Sequence, residues 1–292
     1  MPKASEIAAA LDVPLRGKDI DVVAPSSLAR AGPGRLVFLS KAHSETIERL
    51  NAIGALLCIA APDTSERLTC SVLTHDSPRL GFCLALSQFF VPAQIVGGST
   101  DATIDPTAVI GVGVSIGAGV RIGPNVTIGD RCLIGENCVV GGPARIGNDC
   151  VIKPNTTIGA RGFGFADDKE GVPVSFPHIG GVVIGNAVDI GANCTVARAA
   201  LDDTVICDYV KLDDHVHIAH NCIIGSRSKI AAGAIFSGSV TLGEGVWISP
   251  NVTILDYTTV GDGAFVGIGS VVTKQVDSGT RVFGVPAKRI GR

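Results

Sequence analysis

Aromatic side chains are scarce in this sequence: Phe, Tyr and Trp together make up 4% of it, with one Trp, one Met and two Tyr. A layered core anchored by large rings is excluded as the bulk of the fold, although 46% hydrophobic residues supply ample apolar mass. An excess of basic charge is missing too. With 24 Lys and Arg against 27 Asp and Glu, the formal net charge is −3, and without a clustered basic surface nucleic acid is excluded as a partner. No apolar run approaches the roughly 18 residues of a membrane span, and the opening Met-Pro-Lys-Ala-Ser-Glu-Ile-Ala-Ala-Ala-Leu-Asp-Val lacks the apolar stretch of a secretory leader. A cytoplasmic protein is expected. CxxC pairs are also absent: the nine cysteines are an odd set, and Cys132, Cys138, Cys150, Cys194 and Cys222 read as small buried hydrophobes of a reducing compartment.

What is present is glycine, 37 residues of it, and branched aliphatics in a strict period. From Ile104 an aliphatic residue recurs at every sixth position through Ile110, Ile116, Ile122, Ile128, Ile134, Val140, Ile146 and Ile152 to Ile158. A second run goes from Ile206 to Val272 at the same spacing, broken in kind only by Phe236, and a shorter one joins Ile184, Ile190 and Val196. Four residues after each aliphatic stands a small residue, and Gly often follows the aliphatic directly. A helix repeats at 3.6 and an amphipathic strand at 2. A period of six instead suits the left-handed parallel β-helix, in which each hexad supplies one short strand and one turn and three hexads make a triangular coil. The aliphatic points inward, the small residue fits near the corner, and Gly or Asn takes the turn conformations that a Cβ disfavours.

The phase breaks twice. Residues 160–183 carry charges, prolines and aromatics and are expected to form a loop projecting from the prism, and a four-residue excess falls at Arg198-Ala199-Ala200-Leu201. Residues 1–97 hold no hexads. Helices are expected at 5–11 and 78–90 and buried strands at 36–39 and 55–60, giving a small α/β domain that ends at the turn Gly97-Gly98-Ser99. The β-helix is expected over 98–280 and a tail over 281–292, where the proline of Gly-Val-Pro-Ala-Lys at 284–288 blocks further strand pairing.

Three motifs in order, Gly-Phe-Gly-Phe-Ala at 162–166, Ala-Leu-Asp-Asp-Thr-Val-Ile at 200–206 and Ile-Ala-His-Asn at 218–221, follow the α/β domain. In that order the chain resembles, over nearly its whole length, the UDP-3-O-(3-hydroxyacyl)glucosamine N-acyltransferase family of lipid A biosynthesis. The resemblance implies transfer of a 3-hydroxyacyl group from acyl carrier protein to the amine of a UDP-linked glucosamine derivative, with no cofactor beyond the phosphopantetheine thioester of the co-substrate. It implies that His220 is the general base, Gly238 the oxyanion donor, and Asp213 a residue that holds the sugar amine or polarises the site. Phe38 would stack on uracil, while Phe163, Phe165, Asn221, Asp214 and Tyr257 would border the substrate. Acyl transfer to an amine needs a base, an oxyanion donor and walls that align the reactants. His220 carries an imidazole, the usual side chain for such a base, and occupies a turn, and because residues 18 apart stack on adjacent coils at roughly 4.8 Å, Gly238 falls over His220 with Asp256 one coil further.

The chain departs from the family pattern in three places. Ser40-Lys41-Ala42-His43-Ser44 stands where the family carries an Asn-Pro-Lys-Tyr run, Tyr257 stands where it carries a second histidine, and Gly-Val-Pro-Ala stands near the end in place of a helical extension. That ending is common among coenzyme A-dependent hexapeptide enzymes, and Lys274, Arg281, Lys288, Arg289 and Arg292 form a basic cluster that either phosphopantetheine donor could use. An acyl-CoA enzyme acting on another nucleotide amino sugar is therefore an alternative. A second is a zinc lyase of the γ-carbonic anhydrase type, for which His178, His215 and His220 would be the ligands. A third is a non-catalytic sugar-binding β-helix. Flat apolar prism faces predict a homotrimer with sites in the clefts between neighbouring prisms.

Overall fold

The computed structural model describes residues 1–41, 43–91 and 97–291. The chain divides into two compact units, Met1–Ala93 and Gln94–Arg292.

The first unit is built on a five-stranded sheet. Its strands lie in the order Leu15–Arg16, Ser71–Thr74, Leu57–Ala60, Arg35–Leu39, Ala24–Pro25, parallel except for the first. The Leu57–Ala60 strand is buried throughout, as an inner parallel strand must be. Side-chain alternation sorts the core into two layers. Val37, Leu39, Cys58 and Val72 pack with Ile47 and Leu50 of the Ser44–Ile53 helix, and Leu36, Leu57, Ile59 and Leu73 pack with Ile7 of the Ala4–Ala10 helix and Ala85 of the Pro78–Phe89 helix.

The second unit is a left-handed parallel β-helix with three faces, sheets of nine, eight and eleven strands. His217–Ile218 belongs to the first face, Ile223–Ile224 to the second and Lys211–Leu212 to the third. Each rung pairs in register with the next, for example Ile218 with Phe236 and Phe236 with Ile254. The aliphatics of the period fill one continuous core, and the small residues between them, among them Val216, Cys222, Ala234 and Val240, are buried beside them. Each buried Ile contributes about 1.5–3 kcal/mol. The cysteines at these positions are small packing residues, and burial pushes the Cys222 thiol up to about 11. Turns need a left-handed residue, supplied by Asn125, Asn137, Asn155, Asn193, Asn221 and Asn251 among others. Asp and Asn side chains tie one coil to the next by accepting from turn amides, as Asp130 does from Val112 N at 2.8 Å and Asn148 from Asp130 N at 2.8 Å.

The two phase breaks change the offset between stacked residues from 18 to 38 and then 22. Both leave the prism at one corner, where the first face turns into the second. The insertion joins Thr157–Ala160 to Gly181–Ile184, and the four-residue excess joins Thr195–Ala197 to Asp203–Ile206. His220 occupies this corner on the next coil, between His217–Ile218 and Ile223–Ile224. The insertion is more than a loop: Phe165–Asp167 and Pro173–Ser175 pair as an antiparallel hairpin.

Gly97–Gly98, read above as a boundary turn, pairs with Ser115–Ile116 as the first rung. At the other end Arg281–Phe283 adds to the third face and Lys288–Arg289 folds back against it, so strand pairing continues past the proline in antiparallel sense. Among the described residues no helix is long and apolar enough to cross a membrane.

Candidate active site

A groove of about 350 Å³ opens along the first face beside this corner. It is bordered by Arg161, Gly162 and Phe163 of the insertion and by His217, His220, Ile235 and Gly238 of two successive strands and the turns that follow them. The strand alternation explains His217 and Ile235: they pair across neighbouring rungs and face outward, while Ile218 and Phe236 face in.

His220 is fixed from one side. Its Nδ1 lies 2.9 Å from Asn221 Oδ1, and that oxygen also accepts from Ala200 N at 3.2 Å. An oxygen that accepts from the Ala200 amide is the side-chain carbonyl oxygen, so Nδ1 is the donor and Nε2 is left as a bare acceptor. Asn221 is itself held at φ 62, with its N–H donating to Thr204 Oγ1 at 2.9 Å. The four-residue excess thus braces the residue that orients the imidazole.

The stacked residue above is Gly238, and its lack of a side chain is a steric requirement: a Cβ there would lie 2.7 Å from His220 Cε1 and 2.9 Å from Nε2. At equivalent turn amides elsewhere, an Asp or Asn of the next coil accepts the N–H. Among the described residues the Gly238 N–H has no such acceptor, although Asp256 occupies that place on the next coil. A bare Nε2 and a free backbone donor therefore border the same groove.

The other expected site residues sort as follows. Phe163, 85% exposed, borders this groove, and Phe165 meets its ring edge-on at 4.9 Å without reaching it. Tyr257 follows at the same corner, its N–H donating to Gly238 O at 3.1 Å and its side chain exposed. Asn221, expected to touch substrate, has its amide turned to His220 instead. Asp213 and Asp214 are not brought to His220. Asp213 borders a second groove of about 330 Å³ on the third face, with Lys153, Lys211, Lys229 and Trp247, because seven residues along the coil carry the chain around a corner. Asp214 accepts from Ala192 N at 2.8 Å and pairs with Lys153 at 3.3 Å; the amide and then the lysine hold its carboxyl below the usual range.

In the first unit, Phe38 packs on Phe82 at 5.0 Å and lines a cavity of about 510 Å³ with Ser26, Ser27, Lys41, His43 and Thr46. Ala42, in the segment that departs from the family, lies outside the described residues, as does Arg292 of the basic cluster. Within that cluster Arg281 lies over the Phe265 ring, 4.7 Å from its centroid.

His217 was not singled out from the sequence. Its position three residues before His220 and one before an inward aliphatic was the available signal. Although the residue is exposed on the prism face, partial desolvation of its ring lowers its pKa, and Thr195 Oγ1 contacts its Nδ1 at 2.5 Å. The zinc arrangement does not form: among the described residues no group of three His, Cys, Asp or Glu side chains could hold a metal ion.

Known proteins share this fold and much of this sequence. The bacterial transferase hexapeptide family (six repeats) matches residues 125–160 and 203–238, the second span holding both His220 and Gly238. UDP-3-O-acylglucosamine N-acyltransferase 2 of Legionella pneumophila (strain Paris) is 38% identical over 93% of this chain and 84% of its own length. The enzyme UDP-3-O-acylglucosamine N-acyltransferase of Methylorubrum populi is 39% identical over 50% of this chain, a match that spans 42% of that protein. Among solved structures, the UDP-N-acetylglucosamine acyltransferase of Francisella novicida superposes with a TM-score of 0.60 at 26% identity, over 66% of this chain and 69% of that one. With the hexapeptide repeats matched and a relative that is 38% identical over 93% of this sequence, the chain belongs to the UDP-3-O-acylglucosamine N-acyltransferase family.

Proposed function

We propose that this protein transfers a 3-hydroxyacyl group from a phosphopantetheine thioester to the amine of a UDP-linked glucosamine derivative, as in lipid A biosynthesis. The observation that carries the reading is the juxtaposition of the bare His220 Nε2 with Gly238, which borders the same groove and whose backbone N–H has no acceptor among the described residues. The amine nitrogen attacks the thioester carbon while Nε2 takes its proton. The Gly238 N–H holds the oxyanion of the tetrahedral intermediate. Collapse breaks the C–S bond, and the imidazolium returns the proton to the departing thiolate. The proposed steps call for no metal or prosthetic group.

Phe38 and its cavity are assigned to the uracil, and the acyl donor is acyl carrier protein; a coenzyme A thioester, reached through Lys274, Arg281, Lys288 and Arg289, is the alternative. The protein is assigned to the cytoplasm, where both donors occur. A homotrimer is also proposed. Each chain carries His220 on one face and Asp213 with its lysines on another, and a threefold arrangement of prisms would set one chain's base opposite the next chain's charged groove. Light scattering that returns a monomer at working concentration contradicts the shared site. The function itself is tested by assaying UDP-linked glucosamine acylation with both donors. His220→Ala is expected to abolish turnover while the fold, read by circular dichroism, is kept; a fully active variant would remove the base.

A further inference from the structure

His178 comes from the returning limb of the insertion, just before the prism resumes at Gly181. The residue is 6% exposed. Nδ1 lies 2.9 Å from the Phe176 carbonyl oxygen; a carbonyl only accepts, so Nδ1 carries the hydrogen and Nε2 is a bare acceptor. That Nε2 is buried and, among the described residues, has no hydrogen-bond partner.

The ring stands against His220, with centroids 5.1 Å apart and planes at 69°. A Cβ on Gly162 would lie 2.7 Å from His178 Nε2 and 2.9 Å from His220 Cβ, so Nε2 and the His220 side chain border the same space that this glycine leaves open. A Cβ on Gly164 would lie 3.0 Å from His178 Cε1. Two glycines of the Gly-Phe-Gly-Phe run are thus small because this ring occupies the space beside them.

A buried acceptor without a donor costs stability that a phenyl ring in the same place would not. The nitrogen becomes useful when positive charge appears opposite it. His220 is an imidazolium for as long as it holds the amine's proton, and a neutral imidazole's lone pair, fixed in a site screened from water, stabilises that charge.

We propose that His178 is a positioning residue for the acyl transfer: its bare Nε2, which borders the same space beside Gly162 as His220, holds that ring in place and stabilises its protonated form. His178 acts through His220, and the inference rests on the reading of His220 as base. His217 and Arg161, the other titratable or charged side chains bordering the groove, are kept in every variant that tests it.

The test uses the full chain and steady-state transfer from 3-hydroxyacyl-acyl carrier protein to a UDP-linked glucosamine amine. His178→Phe keeps a ring and loses both nitrogens. His178→Asn keeps a donor toward Phe176 and loses the acceptor, and His178→Gln places an amide oxygen near the Nε2 position. The Phe and Asn variants are expected to lose about tenfold or more in kcat with KM within about twofold, the mark of an interaction made in the transition state. His178→Gln is expected to recover most of that loss. Wild-type kcat in the Phe variant, a loss confined to KM, or a Gln variant as impaired as Phe overturns the inference. If the Phe variant fails to fold, the Asn and Gln pair decides by the same criteria. His220→Ala is run beside them: if it stays active the base reading fails, whereas an inactive His220→Ala beside a fully active His178→Phe removes only the role of His178.

Discussion

Gly238→Ala adds one carbon at the point where the structure has least room for it. The new Cβ would lie 2.7 Å from His220 Cε1, 2.9 Å from Nε2 and 3.3 Å from Nδ1. Carbon contacts are ordinarily about 3.5–4.0 Å, so the imidazole must retreat by roughly 1 Å. It cannot do so freely, because Nδ1 is tied to Asn221 at 2.9 Å and the His178 ring stands behind. The backbone accepts alanine, since Gly238 is not among the residues with positive φ, and the N–H donor is kept. A misplacement of about 1 Å in the reacting geometry costs about 100-fold in rate, or about 2.7 kcal/mol of transition-state stabilisation. Acyl transfer should therefore fall by that order in kcat while thermal unfolding moves by no more than about 2 °C. The assay is steady-state kinetics alongside scanning calorimetry of the same preparation. A Gly238→Ala enzyme with undiminished kcat would show that the contact between this turn and the imidazole is irrelevant to turnover.

Asn221→Gly keeps the left-handed turn and removes the acceptor for His220 Nδ1 and Ala200 N; kcat should drop about tenfold with the fold retained, and unchanged kinetics would remove Asn221 as the orienting group. Phe236→Ala empties a fully buried position between Ile218 and Ile254 and should cost about 3–5 kcal/mol in denaturant unfolding; an unmoved midpoint would contradict the packing. His217 supplies a pH test. Partial desolvation of its ring lowers its folded pKa, so between the folded and unfolded values the unfolded chain binds more protons. Stability is complete above the unfolded value of about 6.5 and is lost as pH falls through it. His217→Gln should lack that loss, and parallel stability curves for variant and wild type from pH 8 to 5 would refute the assignment.

Much of the second unit was legible in the sequence because its fold is a local rule repeated. Ile104 to Ile158 and Ile206 to Val272 needed no distant information to declare a coil of three hexads, and the 18-residue offset alone put Gly238 against His220. In the first unit the Leu57–Ala60 strand and the Pro78–Phe89 helix were readable as apolar runs, whereas the two-residue strands Leu15–Arg16 and Ala24–Pro25 are too short to carry a pattern and exist only by pairing with neighbours. What tertiary structure decided lies where the period fails. The insertion has no lattice to place it, so only its packing could set Phe163 on the groove and His178 against His220. The same packing turned Asn221 toward the imidazole, and the prism's corner sent Asp213 to a different groove. Periodic backbone pairing fixes which residues share a rung. The direction and partners of a side chain at a corner depend on segments far away in sequence, and those contacts exist only once the chain has folded.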